Sequence, residues 1–165
     1  MFSNRVVQTL HDEHRSTIAT LERLAGFIAS QRRGPPTGTM DANALLLREV
    51  AAGVESEVRR HFDFEEQELF TFLENIGDAA IGAHLTTEHN AMRPLGQRLA
   101  ALARAGSEGA FDDAGWQEFK RVSAELSERM LTHIQKEEMA LLPLLEESMD
   151  AETELRLCET YTGNE

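Results

Sequence analysis

The sequence predicts an all-α protein: an up-down-up-down four-helix bundle closed by a short C-terminal helix. Three observations carry that expectation. Ala, Leu, Glu and Arg dominate, proline is scarce at 4 residues, and the β-branched clusters that mark strands are missing. Apolar residues recur at helical spacing along four long runs. The chain also matches itself: the pattern H-x3-E-E-x2-L-[FL]-x2-L-E begins at His61 and again at His133, an offset of 72 (133 − 61). A length of 165 residues suits one domain, residues 1–165, and is short for two.

The first helix is expected over about 4–32, with Val7, Leu10, His14, Thr17, Leu21, Leu24 and Ile28 on one stripe. Arg33-Gly34-Pro35-Pro36-Thr37-Gly38-Thr39 ends it. Asp41 is a suitable N-cap for the second helix, about 41–75. Its stripe reads Leu47, Ala51, Val54, Val58, His61, Glu65, Leu69 and Phe72. After a turn at Asn75-Ile76-Gly77-Asp78, with Asp78 as cap, the third helix covers about 78–105. It turns Ile81, Leu85, His89, Met92, Gly96, Leu99 and Ala103 inward, and Pro94 should bend it. Residues 106–113 read as a loop. The fourth helix, about 114–149, directs Phe119, Val122, Leu126, Met130, His133, Glu137, Leu141 and Leu144 to the core, with a kink at Pro143. Asp150 caps a last helix, about 150–160. The first and third helices match as well. Glu13-His14 with Arg23-Leu24-Ala25 repeats as Glu88-His89 with Arg98-Leu99-Ala100 at an offset of 75 (89 − 14). The chain reads as one helical hairpin used twice.

Composition narrows the function. A net charge of −13 makes nucleic acid or an anionic membrane a poor partner. No apolar run approaches 18 residues, and the N-terminus lacks a signal peptide's apolar stretch, so a cytoplasmic location is expected. The single cysteine, Cys158, builds no internal disulfide and is read as structural, with exposed redox sensing the lesser alternative.

The unusual feature is polar residues on apolar stripes. His61 and Glu65 lie four residues apart, as do His133 and Glu137. On a helix four residues turn about 400°, so each pair leaves one face. His14 and His89 add one imidazole each on the other two helices. Left unpartnered, each buried polar group would cost roughly 1–3 kcal/mol, and a lone carboxylate far more. Metal ions give every lone pair a cation. Four imidazoles at two per ion, two carboxylates bridging both ions and a solvent-derived oxo or hydroxo bridge leave an open position at each octahedral ion. Mixed imidazole and carboxylate favours iron, with manganese possible, over a thiolate-type zinc site.

These residues resemble a hemerythrin-like (HHE) domain, and the likeness covers about Val6 to Glu147. The resemblance implies a four-helix bundle around a non-haem di-iron centre, with metal ligands His14, His61, Glu65, His89, His133 and Glu137. Respiratory hemerythrins carry a second third-helix ligand at i, i+4, whereas here Leu85 and Arg93 flank His89 at that distance. The set is therefore similar to the four-His, two-carboxylate kind found in proteins of nitrosative stress and iron–sulfur repair. It implies small diatomic ligands (O2, NO) or peroxide as reactants, in stress protection or iron handling. The alternative is a reversible O2 carrier or sensor.

His11 is read as a hydrogen-bonding neighbour, an alternative ligand or a partly exposed residue, and His84 would join only through a local bulge. Glu66 and Glu138 are turned about 100° from the ligands. A solvated face is expected for them, with a hydrogen bond to a ligand His as the alternative, and their removal should change metal content little. Met92 and Met130 fill core beside the site. Phe62, Phe64 and Phe72 are candidates for a dry wall around it.

Overall fold

The structure is a computed structural model that describes residues 1–36, 41–109 and 111–163, and among these every regular element is helical. The first helix is Arg5–Ser30. Asn4 starts it by accepting a hydrogen bond from the Val7 amide at 3.1 Å, which satisfies one of the orphan donors of a helix start. Residues 37–40 and the side chain of Asp41, the expected cap, lie outside the described residues.

The second helix is continuous but not uniform. It runs as Asp41–Ser56, Glu57–His61, Phe62–Phe64, Glu65–Leu69 and Phe70–Asn75, the second and fourth pieces having π-type i→i+5 hydrogen bonding. Gly77, at φ 91°, turns the chain. The third helix is Ala80–Glu108 and passes through Pro94. It differs from expectation at both ends. Asp78 does not cap it; Ala79 holds that place without a side-chain bond. Its last turn continues through Gly106 and Ser107, because Ser107 Oγ donates to the Arg104 carbonyl at 2.6 Å and Phe111 lies against Gly106. A Cβ on Gly106 would meet the Phe111 ring at 2.2 Å, so only glycine permits that contact.

Asp112, expected in the loop, caps the fourth helix by accepting from the Gly115 amide at 2.6 Å. That helix runs Asp113–Lys136, Glu137–Leu141 in π form, then Leu142–Ser148. Pro143 has no amide hydrogen to give the Met139 carbonyl, and the wide turn directly precedes it. Asp150 caps the fifth helix, Ala151–Thr162, through the Thr153 amide at 2.7 Å, as expected, although the helix runs slightly longer.

The second helix packs along the third, the third along the fourth, and the first against the second and fourth. All four contribute to two separate apolar cores. One gathers Leu24, Val54, Phe62, Met92, Leu99, Trp116, Phe119 and Leu126. The other gathers Leu10, Phe70, Leu73, Leu85, Leu141, Leu145 and, from the fifth helix, Leu157 and Tyr161. On the first helix His14 falls between Leu10 of the second core and Leu21 of the first; on the third, His89 falls between Leu85 and Met92. Each fully buried Leu or Phe contributes about 1.5–3 kcal/mol, so the apolar layers hold the polar one between them in place.

Candidate metal centre

The π segments set which side chains reach the centre. From His61 onward one line of buried positions on the second helix runs 61, 65, 69 and 73, steps of four only, with Phe62, Phe64 and Phe70 buried beside it, and on the fourth helix the same line runs 133, 137, 141 and 145. A regular α-helix drifts after several such steps, and the wider turns absorb the drift. This corrects two expected core positions: Leu73 and Leu145 are fully buried, while Phe72 and Leu144 are only partly so. In both helices the π segment starts at the ligand-type glutamate itself, Glu65 or Glu137.

The structure brings together all six residues singled out in the sequence. His14, His61, Glu65 and Glu137 form one buried group, and Glu65, His89, His133 and Glu137 a second, each with its donor atoms within 4.8 Å of one another. The two groups share both carboxylates. Glu65 Oε1 lies 3.0 Å from His61 Nε2 and its Oε2 3.2 Å from His89 Nε2. Glu137 Oε2 lies 2.8 Å from His14 Nε2 and its Oε1 2.7 Å from His133 Nε2. Each carboxylate therefore faces both groups with different oxygens. Four of these buried atoms, His14 Nε2, Glu65 Oε2 and both Glu137 oxygens, have no aligned hydrogen-bond partner despite the short separations. Lone pairs turned on one point suit a cation better than a proton.

Each imidazole is fixed from outside by a carboxylate on its other nitrogen. His61 Nδ1 bonds Glu13 at 2.8 Å, His89 Nδ1 bonds Glu66 at 3.3 Å, His133 Nδ1 bonds Glu88 at 2.9 Å and His14 Nδ1 bonds Glu138 at 2.6 Å. An ionised carboxylate only accepts, so each Nδ1 carries a hydrogen, and in the neutral imidazole each Nε2 keeps its lone pair for the centre. The four bonds close a circuit, because every orienting glutamate sits beside a ligand-type residue of its own helix and serves the next helix. Five side chains back them: Tyr161 and Arg60 at Glu13, Arg93 at Glu66, Lys136 at Glu88 and His11 at Glu138.

Glu66 and Glu138 are thus half-buried and bond ligand-type imidazoles, the alternative expected for them rather than the solvated face. Glu13 and Glu88 were visible in the repeated Glu-His pairs, but the sequence held no signal that each serves a different helix. His11, half-buried, contacts Glu138 at 2.8 Å and takes no place in the centre. His84 is exposed beside Glu88 and Lys136 and joins neither group. Phe62 stacks on His89 with ring centroids 3.8 Å apart, whereas Phe64 packs on Tyr161. Cys158 is half-buried, and burial pushes its thiol above the ordinary range.

Charge follows the geometry. Burial works against protonation of His14 and His89, but Glu137 and Glu138 outweigh it for the first, and Glu137 and Glu65 for the second, raising each to about 9. Burial disfavours the Glu137 carboxylate, yet His133, His14 and His89 together hold it well below its usual range. A seventh group, Glu57, is 5% exposed, and burial raises its carboxyl. It accepts from Thr17 Oγ1 at 3.0 Å. No reading of the sequence placed it here; its signal was its place one further turn before His61.

The sequence model of the Hemerythrin HHE cation binding domain matches residues 5–145. The chain belongs to this family. The HHE match begins at the first helix and ends at Leu145, so it spans both clusters and all four orienting glutamates, while the fifth helix lies beyond it. A search of curated proteins finds no match to the chain. No helix among the described residues is long and apolar enough to cross a membrane.

Proposed function

We propose that this HHE domain is an up-down-up-down bundle that holds two iron ions. In this reading His14 and His61 serve one, His89 and His133 the other, and Glu65 and Glu137 bridge them. The observation that carries it is the pair of overlapping buried clusters sharing two carboxylates. The donor set, imidazole with carboxylate and no thiolate, suits iron and admits manganese. When bound, the pair of ions supplies redox chemistry toward O2, NO or peroxide. The chain's own residues orient the imidazoles through the outer carboxylates and exclude water with the two apolar cores. The role we assign is protection against oxidative or nitrosative stress, or iron handling, in the cytoplasm.

One observation favours a second reading, a reversible O2 carrier or sensor without turnover. Phe62 is fully buried, stacks on His89 and stands edge-on to His133, the kind of dry wall that retains bound gas. Elemental analysis of protein from iron-replete culture should give about two irons per chain, and fewer than one would remove the di-iron reading. Titrating the reduced protein with O2 and NO then separates the roles. Repeated consumption of NO or peroxide supports the protective one; stoichiometric O2 released on degassing supports the carrier.

A further inference from the structure

The offsets that relate the two hairpins expose a difference between the two halves of the centre. Adding 75 carries Glu13 to Glu88 and Thr17 to Met92, and adding 72 carries Glu57 to Arg129. Two cavities obey the same relation. One, about 190 Å³, is lined by Glu13, Thr17, Glu57, His61 and Tyr161 among others. Its counterpart, about 340 Å³, is lined by Glu88, Met92, Arg129 and Thr132 among others.

The floors differ in chemistry. In the first, Glu57 spends one oxygen on Thr17 and leaves Oε1 buried without a hydrogen-bond partner, 3.9 Å from His61 Nε2. In the second, Met92 is buried and Arg129 is exposed, turned to Glu125 at 3.4 Å. A carboxylate oxygen with no donor, aimed at one cluster only, is a candidate ligand. A thioether offers no such charge.

We propose that Glu57 is a third carboxylate for the metal position of His14, His61, Glu65 and Glu137, and that exogenous small ligands therefore bind at the His89/His133 position, which has no such carboxylate. The two positions are then unequal: the first has one more protein ligand and the tighter hold, the second keeps a position for an exogenous ligand. This inference rests on the two-metal reading above.

The test is an anaerobic calorimetric titration of apo protein with ferrous iron, followed by azide binding to the oxidised protein. Wild type should take up two irons in two resolved steps and bind one azide per pair. Glu57→Ala should weaken the tighter step at least tenfold and admit a second azide. Glu57→Gln, which keeps the shape, should also weaken that step, and Arg129→Ala should leave both steps unchanged. Two irons with isotherms and azide count unaffected by either Glu57 variant would overturn the inference alone. Fewer than two irons in wild type would overturn the two-metal reading beneath it.

Discussion

At the scale of single residues, the two kinds of glutamate next to each other have different tasks. Glu65 and Glu137 face the centre; Glu66 and Glu138 hold imidazoles of other helices. Glu65→Ala or Glu137→Ala should lose one or both metals. Glu66→Ala and Glu138→Ala should lower metal affinity by about 10–100-fold while keeping the ions at saturating concentration, the usual cost of removing a carboxylate behind a ligand His. Metal content after dialysis against graded chelator measures both, and equal retention in wild type and Glu138→Ala would refute the orienting role. The six central residues were legible in the sequence, since helical phase alone puts His61 with Glu65 and His133 with Glu137. The orienting bonds were not, because each spans two helices and one sequence carries no record of which helix lies beside which.

At the scale of the helix, the π segments explain where reading by phase stops working. An α-helical stripe predicts Phe72 and Leu144, and the wider turns deliver Leu73 and Leu145 instead. Pro143 gave a warning for the fourth helix; nothing comparable marks the second, whose π segments lack proline. Inserting one alanine after the exposed Gln67, where the wide turn has already taken up its extra residue, should rotate Phe70 and Leu73 by about 100° away from their core. Displacing a buried Leu costs about 2–5 kcal/mol, so melting should fall by roughly 5–15 °C. An unchanged melting temperature would mean that the wide turn does not set the register. Helix ends were the other weak point: Asp112 and Asp78 look alike as caps, and only packing of Phe111 on Gly106 decides where the third helix stops.

At the scale of the molecule, the polar layer links stability to pH and metal. In the apo protein His14 and His89 are raised from 6.5 to about 9, so protonation favours the fold. That contribution is fully present below about pH 6.5 and is lost as pH rises through about 9. The depressed Glu137 acts in the opposite sense, contributing above its ordinary 4.5 and fading as pH falls. Metal replaces those protons, so loading should release them and the loaded protein should escape the alkaline decline. The gap in melting temperature between apo and loaded forms is therefore expected to widen from pH 6.5 to 9, as followed by circular dichroism. An apo curve flat over that range would show that the imidazoles are not charged in the absence of metal. The all-helical class and its repeated hairpin were legible from composition and self-similarity. The split of the interior into two apolar bodies was not, because stripe positions do not say at what level the helices meet.

The closed circuit of Glu13, Glu66, Glu88 and Glu138 has a consequence for alignment. Leu, Val and Ala on helix faces specify axial position weakly, since a slide of one turn replaces one apolar contact by another. Here each helix both gives and receives one of the four bonds, so displacing any helix breaks two of them and misdirects two imidazoles. The circuit works like a combination lock with four wheels: greasy faces let each wheel turn, and a single setting of all four lets it close.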